Sequence, residues 1–185
     1  MAKTAERSAT YEDLLKVPDN LIAEIVDGEL FASPRPASRH MRTAARLLRK
    51  LGDAFDDDDR GARGWWIAIE EEIHLNGEVF VPDLAGWRRE RVPEQPAGLY
   101  WEIVPDWVCE VVSPSSARLD RIRKLPRYAA HQVRHAWIVD PFARTLEIYR
   151  LVEGQWLLVG THEGDDVVRA EPFDSIELSL SSLWA

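Results

Sequence analysis

The stretch PDWVCEVVSPSS, residues 105–116, decides how the sequence folds. Its central part, Trp107 to Val112, is a nearly continuous apolar run that only Glu110 interrupts. A run of this kind is typical of a strand that is covered on both faces of a sheet. The serines and proline at 113–116 then provide the turn and N-cap chemistry with which a helix begins. The sequence therefore predicts a buried strand that carries a carboxylate and is followed directly by a helix.

The segments on either side of this strand complete a pattern of helices and strands. Asp27-Gly28 and Asn76-Gly77 are strong signals for tight hairpin turns, because both positions of each pair tolerate a positive φ. Pro126 predicts a kink or a restart in the helix that follows the buried strand. The predicted elements are, in order, a short helix at 11–15, strands at 21–26 and 29–32, a helix at 38–55 with an apolar face of Met41, Ala44, Ala45, Leu48, Leu51 and Phe55, a polar loop at 56–61, β-rich runs at 65–75 and 79–87, the buried strand, a helix to about residue 130, and strands at 136–139, 145–152, 156–159 and 167–169. This order predicts an α/β fold with a central mixed β-sheet flanked by helices, an N-terminal β-hairpin and a C-terminal antiparallel meander.

The length and composition favour one soluble domain. The chain has 185 residues, of which 45% are hydrophobic and 30% charged, so we expect a single domain over residues 1–185. The longest strictly apolar run, Trp65 to Ile69, is far shorter than the roughly 20 residues of a membrane-spanning helix, and the N-terminus lacks the apolar stretch of a signal peptide. Cys109 is the only cysteine, so it cannot form an internal disulfide. We therefore expect a cytoplasmic protein with no membrane partner.

The distribution of charge matters more than the net charge. The chain has 23 basic and 32 acidic residues, a balance of −9 that by itself argues against a polyanionic partner. Residues 35–50, however, contain six basic residues and no acidic one. Within the predicted helix Arg39, Arg42, Arg46 and Arg49 recur on one face. We name the first three, which are the candidate nucleic-acid-binding residues, the arginine stripe. The arginine stripe could bind nucleic-acid phosphates, form an ordinary solvated face, or meet acidic residues of a second copy in a homodimer.

Two carboxylates lie where an ionised group is costly to bury. Asp83 follows Pro82 inside a β-rich run, and Glu110 lies inside the buried strand. Such carboxylates need a partner or a metal ion, and a pair on neighbouring strands suggests a site for a hard divalent cation. Lys124 follows Glu110 by 14 residues, on the next helix, and could stabilise negative charge that develops in phosphodiester hydrolysis. The alternatives are that Asp83 is a turn residue and that Lys124 is a solvated partner of Asp120, four residues earlier.

Several stretches together resemble one known family. They are EIVDGEL (24–30), PRPASRH (34–40), VPDLAGW (81–87), PDWVCEVVSPSS (105–116), HAWIVDP (135–141) and the series Asp120, Lys124 and Tyr128. The chain is similar in these places, and over roughly residues 10–184, to the Uma2 family of proposed endonucleases (DUF820). The resemblance implies the restriction-endonuclease-like fold and the PD-(D/E)xK nuclease superfamily.

The resemblance also implies roles for particular residues. Pro82-Asp83 would be the PD element and Glu110 the second acid. Position 112 is valine, so the lysine of the motif would have moved to the following helix as Lys124. Glu24 and His40 match recurrent family positions and are further catalytic candidates. The alternatives are that Glu24 is a cross-strand salt-bridge partner and that His40 serves a helix terminus.

These observations predict a Mg²⁺- or Mn²⁺-dependent endonuclease whose substrate is nucleic acid, most favourably DNA. Asp83 and Glu110 would bind the metal, Glu24 would assist, and Lys124 would orient or activate water. Two hypotheses from other classes stay open. The first is a nucleic-acid-binding or assembly module with a vestigial nuclease site, and the second is a structural homodimer formed through the helix that carries the arginine stripe.

Overall fold

Helices and strands follow one another in the predicted order. The computed structural model describes residues 7–56 and 64–184, so part of the polar loop predicted at 56–61 and the start of the N-terminal segment lie outside the described residues. In the described ranges, no helix has the length and apolar character that crossing a membrane requires. The elements are, in chain order, α1 (Tyr11–Leu14), β1 (Leu21–Val26), β2 (Glu29–Pro34), α2 (Ser38–Leu51), β3 (Trp65–Ile69), β4 (Ile73–Leu75), β5 (Glu78–Phe80), β6 (Leu84–Arg88), β7 (Trp107–Val111), α3 (Ala117–Leu119), α4 (Leu125–Ala130), β8 (His135–Asp140), β9 (Thr145–Val152), β10 (Gln155–Glu163), β11 (Val167–Val168), β12 (Leu178–Ser179) and α5 (Ser181–Trp184). Two further segments have π-type turns, Gly52–Asp56 after α2 and Asp120–Lys124 between α3 and α4.

A six-stranded mixed sheet with the order β10-β9-β8-β7-β6-β3 forms the centre of the fold. β7 and β8 are parallel, and the other neighbouring strands are antiparallel. All residues of β7 are buried. Trp107, Cys109 and Val111 pack into the cluster that includes α2, whereas Val108 packs on the other face with Tyr128 of α4. The predicted fold class is confirmed, and so is the strand that is covered on both faces.

Both predicted hairpin turns are present. Asp27 and Gly28 have φ values of 54° and 75° and connect β1 to β2. Asn76 and Gly77 have φ values of 51° and 86° and connect β4 to β5. Positive φ at both central positions gives a two-residue turn the twist that matches its flanking strands. The N-terminal β-hairpin of the prediction is therefore confirmed.

The chain changes sheets on both sides of the second hairpin. The β-rich runs predicted at 65–75 and 79–87 are each divided between two sheets. β3 and β6 lie in the central sheet, whereas β4 and β5 lie in a second sheet with the order β2-β1-β5-β4. Pro82 has no amide hydrogen for a ladder bond, and Glu70 has a positive φ of 50°, so the strands are interrupted near both residues. Asp83 consequently lies at the corner where the chain enters the central sheet.

The helix predicted at 38–55 is present as α2 and its π-type extension, but its predicted apolar face is partly wrong. Met41 is 53% exposed and Ala45 is also exposed, whereas Leu47 is fully buried. The reason is the position of α5, which packs against α2. The hydroxyl of Thr43 donates to the carbonyl oxygen of Leu183 at 3.3 Å, so the face that contains Thr43 and Leu47 is the one turned toward the core.

The predicted C-terminal meander is formed by β8, β9 and β10, which are antiparallel neighbours in the central sheet. The strand predicted at 167–169 does not extend this meander, because β11 pairs with β12 in a separate two-stranded sheet. The indole Nε1 of Trp137 donates to the carbonyl oxygen of Glu171 at 2.6 Å. This bond holds the C-terminal segment on the face of the central sheet rather than at its edge.

The helix after β7 restarts near Pro126, as predicted. Pro126 lies in the first turn of α4 and has no amide hydrogen to donate to the preceding turn, and α4 follows directly on a segment with π-type turns. The π-type segment before it, Asp120–Lys124, is held from two sides. Arg121 contacts Glu147 of β9 at 2.6 and 2.9 Å, and Arg123 contacts a glutamate at the start of β2 at 2.9 Å. These pairs fix the segment between the two sheets, with the lysine at its end turned inward.

Candidate active site

The candidate active site lies at the end of the central sheet where β6 begins and β7 ends. The register of these antiparallel strands runs to Leu84 opposite Cys109, which places Asp83 and Glu110 at the next position of the same two strands. Oδ2 of Asp83 accepts a hydrogen bond of 2.7 Å from the backbone amide of Val111, the neighbour of Glu110. The two acids are distant in sequence, and the fold brings them to one end of the sheet.

Lys124 reaches back from the π-type segment into this end of the sheet. Its Nζ lies 2.8 Å from Oε1 of Glu110 and 2.8 Å from Oε1 of Glu24. Asp120 is farther away, at 3.9 Å. Lys124 is only 2% exposed. The alternative of a solvated surface pair between Lys124 and Asp120 is therefore wrong, because both side chains are buried.

Glu24 enters the site from the second sheet. It lies in β1, opposite Phe31 of β2, so it does not form an ion pair across its own hairpin. Its Oε1 instead accepts a 2.8 Å hydrogen bond from the backbone amide of Val81, next to the Pro82-Asp83 corner. Because Lys124 contacts the same oxygen, Glu24 connects the second sheet to the end of the central sheet.

His40 lies beside Asp83 on the α2 side of the site. It is the third residue of α2 and is buried, and its Nε2 forms a short hydrogen bond with Oδ1 of Asp83. Asp83 is thus held by one donor on each carboxylate oxygen, the ring of His40 and the amide of Val111. His40 therefore contacts a candidate metal ligand.

Sequence reasoning missed Tyr128 and gave Asp120 no part in the site itself. The hydroxyl of Tyr128 donates a hydrogen bond of 2.6 Å to Oε1 of Glu110, and the side chain is fully buried. Asp120 is buried four residues before Lys124. A spacing of four puts these side chains on one helical face, so the series Asp120, Lys124, Tyr128 carried the signal. Tyr128 is also large and aromatic, and a residue of this type is more often a core residue than a site residue.

The electrostatics of the cluster show a surplus of negative charge. Burial raises the pKa of Glu110 well above its usual value, Lys124 opposes that shift, and the other carboxylates of the site add to it. Burial alone would lower the pKa of Lys124, but the charges of Glu110 and Glu24 outweigh it and raise that pKa well above the usual value. Burial also raises the pKa of Asp120 to about 6. Burial, and after it the neighbouring carboxylates, therefore make Glu110 and Asp120 weaker acids, whereas the same carboxylates hold Lys124 more firmly as a cation.

The oxygen donors of the site are of the kind that a hard divalent cation binds, with other oxygen ligands completing its coordination shell. In the described ranges, no three histidine, cysteine or acidic side chains form a ready-made metal cage. Carboxylate oxygens are nevertheless the ligands that Mg²⁺ prefers, and Mg²⁺ usually keeps several waters beside one or two carboxylates. Within the part of the chain that the structure describes, both contacts of Glu110 fall on Oε1, and Oε2 accepts no hydrogen bond. Together with the surplus of negative charge, this oxygen makes Glu110 a suitable ligand.

The arginine stripe runs along α2 from the edge of the site. Arg39 precedes His40 and is exposed, with its guanidinium 5.1 Å from the ring centre of Phe142. Arg42 is also exposed. Arg46 is half-buried, and its guanidinium donates to the carbonyl oxygen of Ser182 in α5 at 3.1 Å. Arg39 is therefore the member next to the site residue His40 in the sequence, whereas Arg46 already contributes to the packing of the C-terminal segment.

A mixed sheet that gathers carboxylates and a lysine at one end, with helices on its faces, defines a nuclease-like α/β protein. The sequence model of the Uma2 family, described as "Putative restriction endonuclease", matches residues 9–181. The chain belongs to this family, and the resemblance found in the sequence is confirmed.

One solved structure is similar over nearly the whole chain. It is the crystal structure of a protein from Anabaena variabilis ATCC 29413, described as a putative nuclease belonging to DUF820. The TM-score is 0.77 and the sequence identity 21%, and the match covers 95% of this chain and 97% of the other. At this identity the likeness shows the fold. A comparison with curated proteins found no match.

Proposed function

We propose that this protein is a divalent-metal-dependent endonuclease that hydrolyses phosphodiester bonds in nucleic acid, with DNA as the favoured substrate. The observation that carries the proposal is the buried contact of Lys124 with Glu110 and Glu24, formed beside Asp83 at one end of the sheet. Membership of a family described as restriction endonucleases supports the same class of reaction. The geometry adds residues that can perform it.

Each residue of the site has a distinct task in this proposal. Asp83 and Glu110 would hold Mg²⁺ or Mn²⁺, and Glu24 would support them from β1. When bound, such a metal supplies Lewis-acid stabilisation of the phosphoryl oxygens and lowers the pKa of a coordinated water. The Lys124 ammonium stabilises the negative charge that develops on the phosphate, and it keeps Glu110 oriented through Oε1.

Cleavage of supercoiled plasmid in Mg²⁺, in Mn²⁺ and in EDTA tests the proposal. Glu110→Gln and Lys124→Met should each reduce the rate of cleavage on the order of 10² to 10³, the effect of removing one preorganised electrostatic group. Glu78→Gln is the matched control, because Glu78 is equally buried and ion-paired to Arg127 but lies outside the site. The control should cleave at nearly the wild-type rate. Cleavage in EDTA, or full activity of Glu110→Gln, would refute the metal-dependent mechanism.

A second candidate function is supported by the state of the site itself. The described residues form no ready-made metal cage, and Lys124 already neutralises part of the carboxylate charge. A nucleic-acid-binding or assembly module with a vestigial nuclease site would share these features. Salt-sensitive binding of DNA without turnover in either metal would favour this second function over the endonuclease.

A further inference from the structure

The Lys124 ammonium occupies a position that is lined by oxygen atoms. Oε1 of Glu24 and Oε1 of Glu110 are each 2.8 Å from Nζ, and the carbonyl oxygen of Val81 is 3.5 Å away. Oδ1 of Asp120 follows at 3.9 Å. An ammonium has three N–H donors and no acceptor, and the three nearest oxygens match that number. The lysine nitrogen is therefore surrounded as a bound cation would be.

This position joins three separate parts of the fold. Glu24 belongs to β1 of the second sheet, Glu110 to β7 of the central sheet, and Lys124 to the π-type segment that precedes α4. All three side chains are buried. Removing one partner of a buried ion pair is strongly destabilising, because it leaves an uncompensated charge out of water. Without a cation here, the carboxylates of the two sheets would repel each other.

We infer that Lys124 is the resident counter-cation of this site. It holds the carboxylates of the two sheets together in the metal-free protein, and it weakens the binding of a divalent cation there. The inference rests on the proposed metal site and gives Lys124 a role separate from stabilising charge during the reaction. A divalent cation on Glu110 would share that carboxylate with Lys124. Even at the dielectric constant of water, repulsion between a monovalent and a divalent charge about 6 Å apart corresponds to about tenfold in affinity.

Tyr128 supports this role for the lysine. Its hydroxyl donates to the same Oε1 of Glu110 that Lys124 contacts. Two donors therefore hold one oxygen of this carboxylate and leave the other for a ligand. The arrangement explains how the carboxylates can be kept in place before any metal binds.

Calorimetry with Mg²⁺ alone, and thermal unfolding in EDTA and in Mg²⁺, test the inference without nucleic acid. Lys124→Met keeps most of the side-chain stem and removes the charge. We expect this variant to bind Mg²⁺ at least about tenfold more tightly than the wild type. We also expect it to unfold at a lower temperature in EDTA and to gain more thermal stability from Mg²⁺. Equal or weaker Mg²⁺ binding, or wild-type stability in EDTA, would overturn the inference.

Arg127→Met is the matched control. Arg127 is three residues away on the same helical stretch and pairs with a buried carboxylate, Glu78, at 2.8 Å. This control should also lower the unfolding temperature, but Mg²⁺ should bind to it as to the wild type. A gain in Mg²⁺ affinity in both variants would show a general charge effect and would count against a specific role of Lys124.

A double variant covers the case in which Lys124→Met does not fold in EDTA. Adding Glu24→Gln removes one negative charge together with the positive one, so the double variant should regain stability without metal. If the double variant is no more stable than Lys124→Met, repulsion between the carboxylates is not the cause and the inference fails. Because these measurements contain no nucleic acid, their outcome is separate from the cleavage assay, which alone decides the proposed endonuclease function.

Discussion

Tyr128 and Glu110 form a buried hydrogen bond of 2.6 Å that joins α4 to β7. The bond falls on Oε1, the oxygen that Lys124 also contacts, so the orientation of the Glu110 carboxylate is set by two donors. Among the described residues, none donates a hydrogen bond to the second oxygen, Oε2. Tyr128 therefore acts on the candidate site through Glu110, as a positioning residue.

Tyr128→Phe should weaken the fold and the site together. Loss of a buried hydrogen bond to a carboxylate is expected to lower the free energy of unfolding by about 1 to 3 kcal/mol. Cleavage should fall less than in Lys124→Met, because the lysine still holds Oε1. Urea unfolding and plasmid cleavage measure the two effects. Tyr11→Phe is the control, since the Tyr11 hydroxyl also donates to a glutamate, Glu72, but away from the site. A loss of cleavage as large as in Tyr128→Phe would assign the effect to stability alone.

His40→Ala should reduce the affinity for Mg²⁺ more than it reduces stability. His40 holds one oxygen of Asp83, and loss of a group that orients a metal ligand typically costs 10- to 100-fold in metal affinity. Calorimetry with Mg²⁺ alone measures this without reference to activity. His74→Ala is a matched control, because Nε2 of His74 contacts Glu72 at 2.6 Å in a similar pair outside the site. Wild-type affinity in His40→Ala would mean that the amide of Val111 is enough to orient Asp83.

Local signals in the sequence were sufficient for much of the fold. A continuous apolar run identified β7, and two dipeptides with tolerance for positive φ identified both hairpins. The lysine on the helix after β7 could be paired with Glu110 because a long side chain can reach back toward a strand end. The strand and the hairpins depend on residues that are close in sequence, and the assignment of the lysine depends on the length and charge of its side chain.

The remaining features depend on contacts between distant segments. The rotation of α2 is set by α5, more than a hundred residues later in the chain, so spacing alone could not choose between Met41 and Leu47 as the buried residue. The change of sheet at Pro82 is likewise invisible to a two-residue alternation. Tyr128 fills a core position and also donates to a carboxylate, and sequence patterns do not separate the two uses.

The arginine stripe should contribute to nucleic-acid binding mainly through its exposed members. If Arg39 and Arg42 each contact a phosphate, changing either to alanine should make the slope of log affinity against log salt concentration shallower by about 0.9. Arg46→Ala should act mainly on stability, because its guanidinium binds a backbone carbonyl of α5. Fluorescence anisotropy with duplex DNA at several salt concentrations measures the slope. Light scattering of the same variants tests the separate hypothesis of a homodimer formed through this helix. Arg169→Ala is the control and should leave the slope unchanged, because Arg169 is an exposed arginine that pairs with Glu177. If the slope is the same in all variants and in the wild type, the arginine stripe is an ordinary solvated face.

Asp120 should make the fold less stable as the pH rises from about 4 to about 6. Burial raises its pKa from 3.8 to about 6 and Lys124 opposes that shift, so the unfolded chain releases the proton at a lower pH than the folded protein does. Where the folded pKa is the higher one, the stabilising contribution is fully present below the unfolded pKa and is lost as the pH passes the folded pKa.

Asp120→Asn removes this titration and tests it directly. The variant should match the wild type near pH 4 and should become more stable than the wild type above pH 6, by up to about 3 kcal/mol for a shift of two pKa units. Urea unfolding from pH 4 to 7 in EDTA measures the difference, since the removal of metal leaves only the charges of the protein. Glu78→Gln should change stability in the opposite direction and become less stable than the wild type as the pH rises. Burial of Glu78 is outweighed by hydrogen bonds from Arg127 and the Asp27 amide, so the pKa of Glu78 is lowered. Parallel stability curves for Asp120→Asn and the wild type across this range would show that Asp120 does not titrate there, and the surplus of negative charge assigned to the site would then be too large.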